Sequence, residues 1–475
     1  MTSTRTQFDS IINEFERNSG LSGVRHSVLQ KASGPLLTIY VSHPTERLYK
    51  ILEKARLNAA TDQDNPPLAT IKKQSKGDLL DGPEGKLFRK IISESQNVNR
   101  FSFEKDFLVR YTKSVSGAES QIIASSNHLV LGRRGAGKSM LLLYAYHHRI
   151  RRSLPSVWVD MQVYSGRDDD EAIADVFIEI INQIKRLLPQ IKRFLAGFSG
   201  AQGDLFILLD DFHVVTKELQ PKLLDAIYAV ARGNKIYLKI SAIEAFVRTF
   251  DPETSVGLEV PHDVQIIGLD YNLTAPDKAT AHIEAILDAH AQYAGIPSIR
   301  RLCSSADVIP RLTWVAAGVP RDALNLFSQA MTKASVEGRQ RVTVSNVNVA
   351  ASENLSSKLR ELKADASKSA SDLQRFLDRV KDFCVSKKRS NAFLVEIRSD
   401  DDLFDKVMKL VNLRFLHVIS EGITVGEAGK KYVGLILDYG FYTGIRAAQS
   451  VDLFNRQTER PSYKELRRLP VLRPA

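Results

Sequence analysis

The chain has 475 residues, 43% of them hydrophobic and 25% charged, with a net charge of +11. That length exceeds one comfortable hydrophobic core and points to two or three domains, in a composition typical of globular proteins. Two distant cysteines, Cys303 and Cys384, argue against a disulfide framework or a cysteine zinc site; with the polar opening MTSTRTQFDSIINEF and no apolar run near ~18 residues, they lead us to expect a cytoplasmic chain with no membrane partner.

Residues 1–100 read as an α/β extension of unknown role. Phe8, Ile11, Ile12 and Phe15 have helical spacing, Pro35 to Val41 is strand-like, and a second helix covers Glu46 to Ala59. The turn formers of Thr61 to Pro67 then interrupt the fold.

From Phe101 to Tyr271, strands alternate with helices, which predicts a mostly parallel sheet sandwiched by helices. The strands are His128–Leu131, Val157–Asp160, Leu205–Leu209, Lys235–Ser241 and Val264–Ile267, with a long helix over Glu171 to Leu188. Leu205–Leu209 is apolar throughout, as a central strand buried on both faces should be.

Strands then disappear. Helices over 279–293, 306–317, 321–334 and 345–362 make residues 272–363 an all-helical domain, which the polar stretch 363–371 closes. Residues 364–445 read as helix, helix, hairpin, the order of a winged helix, with helices over 373–385 and 402–411 and strands over 416–420 and 432–437. A basic tail, 446–475, carries Arg456, Arg460, Lys464, Arg467, Arg468 and Arg473. The charge is uneven, +4 over 1–100, +1 over 101–350 and +6 over 351–475. Excess Lys and Arg can attract nucleic-acid phosphates or serve solubility alone, and charge does not choose between them.

Gly132-Arg133-Arg134-Gly135-Ala136-Gly137-Lys138-Ser139 matches a P-loop at every defined position, between a strand and the helical run starting at Met140. The glycines let backbone N–H groups curl around phosphates at a helix N-terminus. ATP is therefore the expected cofactor, held by Gly132 to Met140, with Lys138 reaching the β and γ phosphates. Ser139 is an expected Mg²⁺ ligand. Asp210 and Asp211 close the apolar strand where a P-loop enzyme needs acids, Asp210 for the metal and Asp211 for the attacking water.

These residues resemble the AAA+ ATPases, in particular the origin-recognition and initiator-loader branch. The resemblance implies a polar sensor at Ser241, closing the strand after the acids. It implies a lid arginine at Arg321, in Gly318-Val319-Pro320-Arg321, and an order of ATPase domain, helical lid and winged helix. The expected catalytic set is Lys138, Asp210, Asp211, Ser241 and Arg321. Many members carry Asp-Glu where this chain has Asp210-Asp211; the shorter acid suits slow hydrolysis and a switch rather than a motor. No arginine finger is assignable, and Arg232 and Arg248 read as surface charges.

Two outputs stay open. DNA could engage the winged helix, through Gly426 to Lys431 and Lys387-Lys388-Arg389, and the basic tail. Alternatively, a signalling or scaffold ATPase of the STAND type would use ATP to control homo-oligomerisation and recruit protein partners. A small-molecule kinase would leave Arg321 and the winged helix unexplained. Tyr432, Tyr439, Phe441 and Tyr442 read as core rather than as a base-stacking platform, and His147-His148 lack companion metal ligands.

Overall fold

The computed structural model describes residues 2–31, 34–60, 66–73, 79–96, 98, 107–197, 204–269, 273–364, 368–397, 402–425, 430–443, 451 and 461–474. Helix α1 (Thr2–Ser19) buries Phe8, Ile11, Ile12 and Phe15, the residues whose spacing marks it in the sequence. Strands β1 (Arg25–Lys31) and β2 (Gly34–Val41) form an antiparallel pair. Helix α2 (Glu46–Asn58), capped by Thr45, crosses to β3 (Leu68–Lys73), which pairs parallel to β2, as a crossover requires. Helix α3 (Pro83–Glu94) starts on proline at its first position. Two short helices, α4 (Phe107–Arg110) and α5 (Ala118–Ile122), lead to the second sheet.

That sheet is built from β4 (His128–Leu131), β5 (Ser156–Asp160), β6 (Leu205–Asp210), β7 (Ile236–Ala242) and β10 (Gln265–Gly268). The intervening helices are α6 (Lys138–Ile150), α7 (Asp169–Gly197) and α8 (Leu219–Ala231), and a small ribbon, β8 (Phe250–Asp251) and β9 (Val256–Gly257), precedes β10. The order is β10-β4-β7-β6-β5, parallel throughout. Alternation along the strands covers both faces. Leu129, Val157, Ile207 and Leu209 pack with the α7 and α8 residues Val176 and Leu223, while Val130, Trp158 and Leu208 pack with Leu142 and Leu143 of α6. All five expected strands are present.

Helices α9 (Pro276–Tyr293), α10 (Val308–Val315), α11 (Pro320–Val336) and α12 (Val344–Ala364) follow. Then come α13 (Lys368–Asp382), a π turn over Phe383–Lys387, β11 (Ala392–Glu396), α14 (Asp402–Asn412), β12 (Leu416–Thr424) and β13 (Lys431–Leu437). The expected hairpin of β12 and β13 is formed, and β11 joins it in the antiparallel order β11-β13-β12. Two short helices, α15 (Gly440–Thr443) and α16 (Tyr463–Leu466), end the chain.

The first ninety-odd residues share their core with these helices. Phe15, Leu37 and Phe88 belong to one apolar cluster with Leu287, Phe327 and Met331, which reaches Leu394, Ile436 and Tyr439 of the C-terminal unit. Arg47 of α2 stacks 4.1 Å from the Tyr293 ring and donates to the Tyr293 carbonyl and hydroxyl. Tyr439, Phe441 and Tyr442 are buried, as core residues are. Of the tail, Leu466 and Leu472 pack inward, and Leu394 and Leu472 exchange backbone hydrogen bonds with the 470–472 segment and β11. Arg456 and Arg460 lie outside the described residues, as do 426–429 of the expected wing and 365–367 of the expected linker. Among the described residues, no helix is long and apolar enough to cross a membrane.

Candidate nucleotide-binding site

Strand β4 ends at Leu131 and α6 begins at Lys138, leaving Gly132 to Gly137 as the connecting loop. Gly135 and Gly137 have φ of +86° and +97°, conformations that side chains resist. Gly135 has a second reason to lack a Cβ, which would fall 2.9 Å from Arg321 Cβ and 3.0 Å from Val319 Cγ1. The start of α11 therefore lies directly on the loop, and Arg321 N donates to Gly135 O at 3.3 Å. Arg133 is turned away from the loop's hollow, its guanidinium donating to Ala317 O at 3.2 Å. Lys138 Nζ is buried and folds back to the carbonyls of Gly132 (2.9 Å) and Arg133 (3.1 Å).

Because β7 lies between β4 and β6, Ser241 comes between the loop and the two acids. One oxygen, Asp210 Oδ1, accepts from Ser241 Oγ at 2.6 Å and from Ser139 Oγ at 3.0 Å. Ser241 Oγ in turn accepts from Asp211 N at 2.8 Å. Burial, reinforced by the neighbouring Asp211 charge, pushes the Asp210 carboxyl up to about 6, although both serine hydroxyls oppose this. Asp211 has φ of +55°, which turns it off the strand axis, and its Oδ2 accepts from Gln162 Nε2 at 2.7 Å. Burial likewise drives the His213 imidazole down to about 4, leaving it neutral, with Nδ1 4.0 Å from Asp211 Oδ1.

Lys138, Ser139, Asp210, Asp211 and Arg321 all line one cavity of ≈ 610 Å³. Tyr111, His282, Ile286 and His290 line it as well, as do Asn412 and Leu413 at the end of α14. Burial first, and Arg134 second, lower the pKa of Arg321. The cavity thus gathers cations, carboxylates, rings and apolar side chains. Ser139 and Asp210 offer two hard oxygens side by side, an incomplete set that suits Mg²⁺ completed by water and phosphate. A carboxyl raised by burial and by a second acid is one that a dication would relieve. Among the described residues, no group of three or more His, Cys, Asp or Glu could hold a metal ion by itself.

The five-stranded parallel sheet with helices on both faces is an α/β arrangement with the phosphate-loop motif at the end of β4. No family model and no curated protein matches the chain. Among solved structures, it is similar to the ORC1 protein of Aeropyrum pernix in complex with DNA, at 17% identity over 74% of this chain and 95% of that one, with a TM-score of 0.39. Cdc6p of Pyrobaculum aerophilum is similar at 14% identity over 76% and 97%, TM-score 0.37. The RuvB Holliday junction branch migration motor of Thermotoga maritima is similar at 13% identity over 58% and 80%, TM-score 0.33.

Sequence reasoning missed several residues of this site. Gln162 follows β5, and the C-terminal ends of parallel strands are where ligands sit, so its place three positions beyond the apolar run was a usable signal. Tyr111, His282 and Leu413 come from segments with no motif. Arg248 pairs with Asp251 at 2.6 Å and Arg232 lies over Tyr228, consistent with the surface role expected of each.

Proposed function

We propose that this chain is an AAA+ switch ATPase that binds ATP with Mg²⁺ and hydrolyses it slowly. The observation that carries this reading is the convergence of Lys138, Ser139, Asp210 and Arg321 on one cavity. The Lys138 ammonium now rests on two loop carbonyls, and β and γ phosphate oxygens would replace them as better acceptors. The loop N–H groups from Gly132 to Met140 hold the phosphates. When bound, Mg²⁺ neutralises phosphate charge, and Ser139 Oγ and Asp210 Oδ1 would hold it.

Hydrolysis is phosphoryl transfer to water. Asp211 orients that water and accepts its proton, with Gln162 fixing the carboxylate and Ser241 fixing the backbone at Asp211. Arg321, from the helical lid 272–363, stabilises charge on the γ phosphate and reports its presence across the lid contact. Residues 101–271 are the ATPase domain, and 364–445 a winged helix whose output is DNA. Exposed Lys388, Arg389, Lys431, Lys464, Arg467 and Arg468 support that output.

Lys138→Ala should abolish binding of a fluorescent ATP analogue while the fold persists by circular dichroism; retained affinity would overturn the reading. Duplex DNA binding should strengthen with ATP, weaken steeply with salt, and fall when Lys430 and Lys431 are replaced. An ATP-dependent change in mass without DNA binding would instead favour a scaffold ATPase acting through protein partners and homo-oligomers.

A further inference from the structure

One wall of the cavity comes from the C-terminal unit, which neither the sheet nor the motif explains. Asn412 and Leu413 line it beside Arg321 and Leu324. The next residue, Arg414, turns into the left-handed region at φ +64° and forms an ion pair with Asp322, the neighbour of Arg321 in the first turn of α11. The two side chains are 22% and 12% exposed, so the pair is largely removed from water and from salt screening.

Arg414 is also held from behind. Lys358 of α12 donates to Arg414 O at 3.4 Å and to Asp438 Oδ2 at 3.2 Å, and His417 Nε2 meets the same Asp438 oxygen at 3.2 Å. Asp438 Oδ1 accepts from Gly440 N at 2.8 Å. A chain of contacts therefore runs from the Gly135 carbonyl through α11 to Arg414 and the foot of β12. Around Arg321 stand the charges of Arg134, Asp322, Arg414 and Asp211.

We propose that Arg414 is a positioning residue for the nucleotide site: by holding Asp322 it leaves the Arg321 guanidinium available to phosphate, and it links docking of the C-terminal unit to occupancy. This rests on the cavity being the ATP site. Asp322 lies near enough to Arg321 to favour its charged form, so without Arg414 the carboxylate competes with phosphate for Arg321. Linkage is reciprocal: if the docked unit raises ATP affinity, ATP holds the unit docked by the same factor.

The test uses the full chain, unaltered and as Arg414→Ala, Arg414→Lys, Arg414→Gln and Arg414→Ala with Asp322→Asn. Affinities for fluorescent ATP and ADP analogues are measured, with amide hydrogen exchange of β12 with and without a non-hydrolysable ATP analogue. Arg414→Ala should weaken ATP about tenfold and ADP less, and should abolish ATP-dependent protection of β12. Arg414→Lys should restore most of the affinity, and the double variant should recover it as well, because the competing carboxylate is gone. Arg414→Gln reads the same loss if the alanine variant fails to fold. A pair that only stabilises the fold would lower the unfolding temperature and leave these affinities unchanged; that result, or tighter ATP binding in Arg414→Ala, overturns the proposal. Absence of ATP binding by the unaltered chain overturns both readings. Binding lost in Lys138→Ala but indifferent to Arg414 overturns this one alone.

Discussion

Gly135 shows how one missing Cβ joins two parts of the molecule. Its φ of +86° is costly for any side chain, and its Cβ would fall on Arg321 Cβ and Val319 Cγ1. Gly135→Ala should destabilise the fold by about 1–3 kcal/mol and weaken nucleotide binding more than Gly137→Ala, whose Cβ would meet nothing within 4 Å. Denaturant titration and ATP-analogue binding on the two variants check this. Asp211→Asn should keep ATP binding and slow single-turnover hydrolysis at least ~10²-fold, and Gln162→Ala should give a smaller loss of the same kind. Unchanged turnover would remove Asp211 from the chemistry. The loop and both acids were readable because their chemistry demands fixed spacing beside strands. Gln162 carried a usable signal in its place after β5, whereas Leu413 and Arg414 were not readable, because their role comes from what the fold brings opposite them.

Asp438 sits where three elements meet, and only its place among them gives it meaning. Burial would raise its carboxyl, but Lys358 first and His417 second outweigh burial and hold it far below the usual carboxylate range. Asp438→Asn should therefore cost about 3–5 kcal/mol in a denaturant titration, since Lys358 would be left nearly buried without a counter-charge. Lys358→Met together with Asp438→Asn should recover part of that loss. At this scale, legibility followed burial. In the large sheet β4, β5 and β6 were visible because their runs are buried on both faces, while β10 buries only Ile267 and showed as a short apolar run. β1 was missed because Arg25–Lys31 exposes Val28 and Leu29 and shows no alternation, and β3 because Leu68–Lys73 buries only Ile71. β11 was hidden as a five-residue run two residues beyond the basic Lys387-Lys388-Arg389. The helices of 276–364 were readable within a few residues from their apolar spacing.

The whole molecule carries an acid-sensitive interior. His128, His282 and His290 are each pushed by burial from 6.5 to about 4, Lys239 adding to the effect at His128 and Arg110 at His290. Between those values the unfolded chain binds protons that the folded chain refuses, so stability falls as pH drops from 6.5 towards 4. His213, pushed down to about 4 in the same way, adds to this, while Asp210 acts in the opposite sense between 3.8 and about 6, one group against four. The thermal midpoint should fall over this window, and His290→Gln should flatten the fall; a midpoint insensitive to pH there would contradict the burial of these rings.

The shared core of the first ninety-odd residues also bears on where the chain can be cut. Phe15, Leu37 and Phe88 share one core with Leu287, Phe327 and Met331, the Phe88 and Phe327 rings meet edge to face, and Arg47 caps Tyr293. A protein begun at residue 101 would carry the whole phosphate loop, yet it would bare a greasy flank on the helices that press Arg321 against that loop. Expressed alone, residues 101–475 should clump and lose affinity for ATP analogues, and adding residues 1–100 as a separate polypeptide should rescue both.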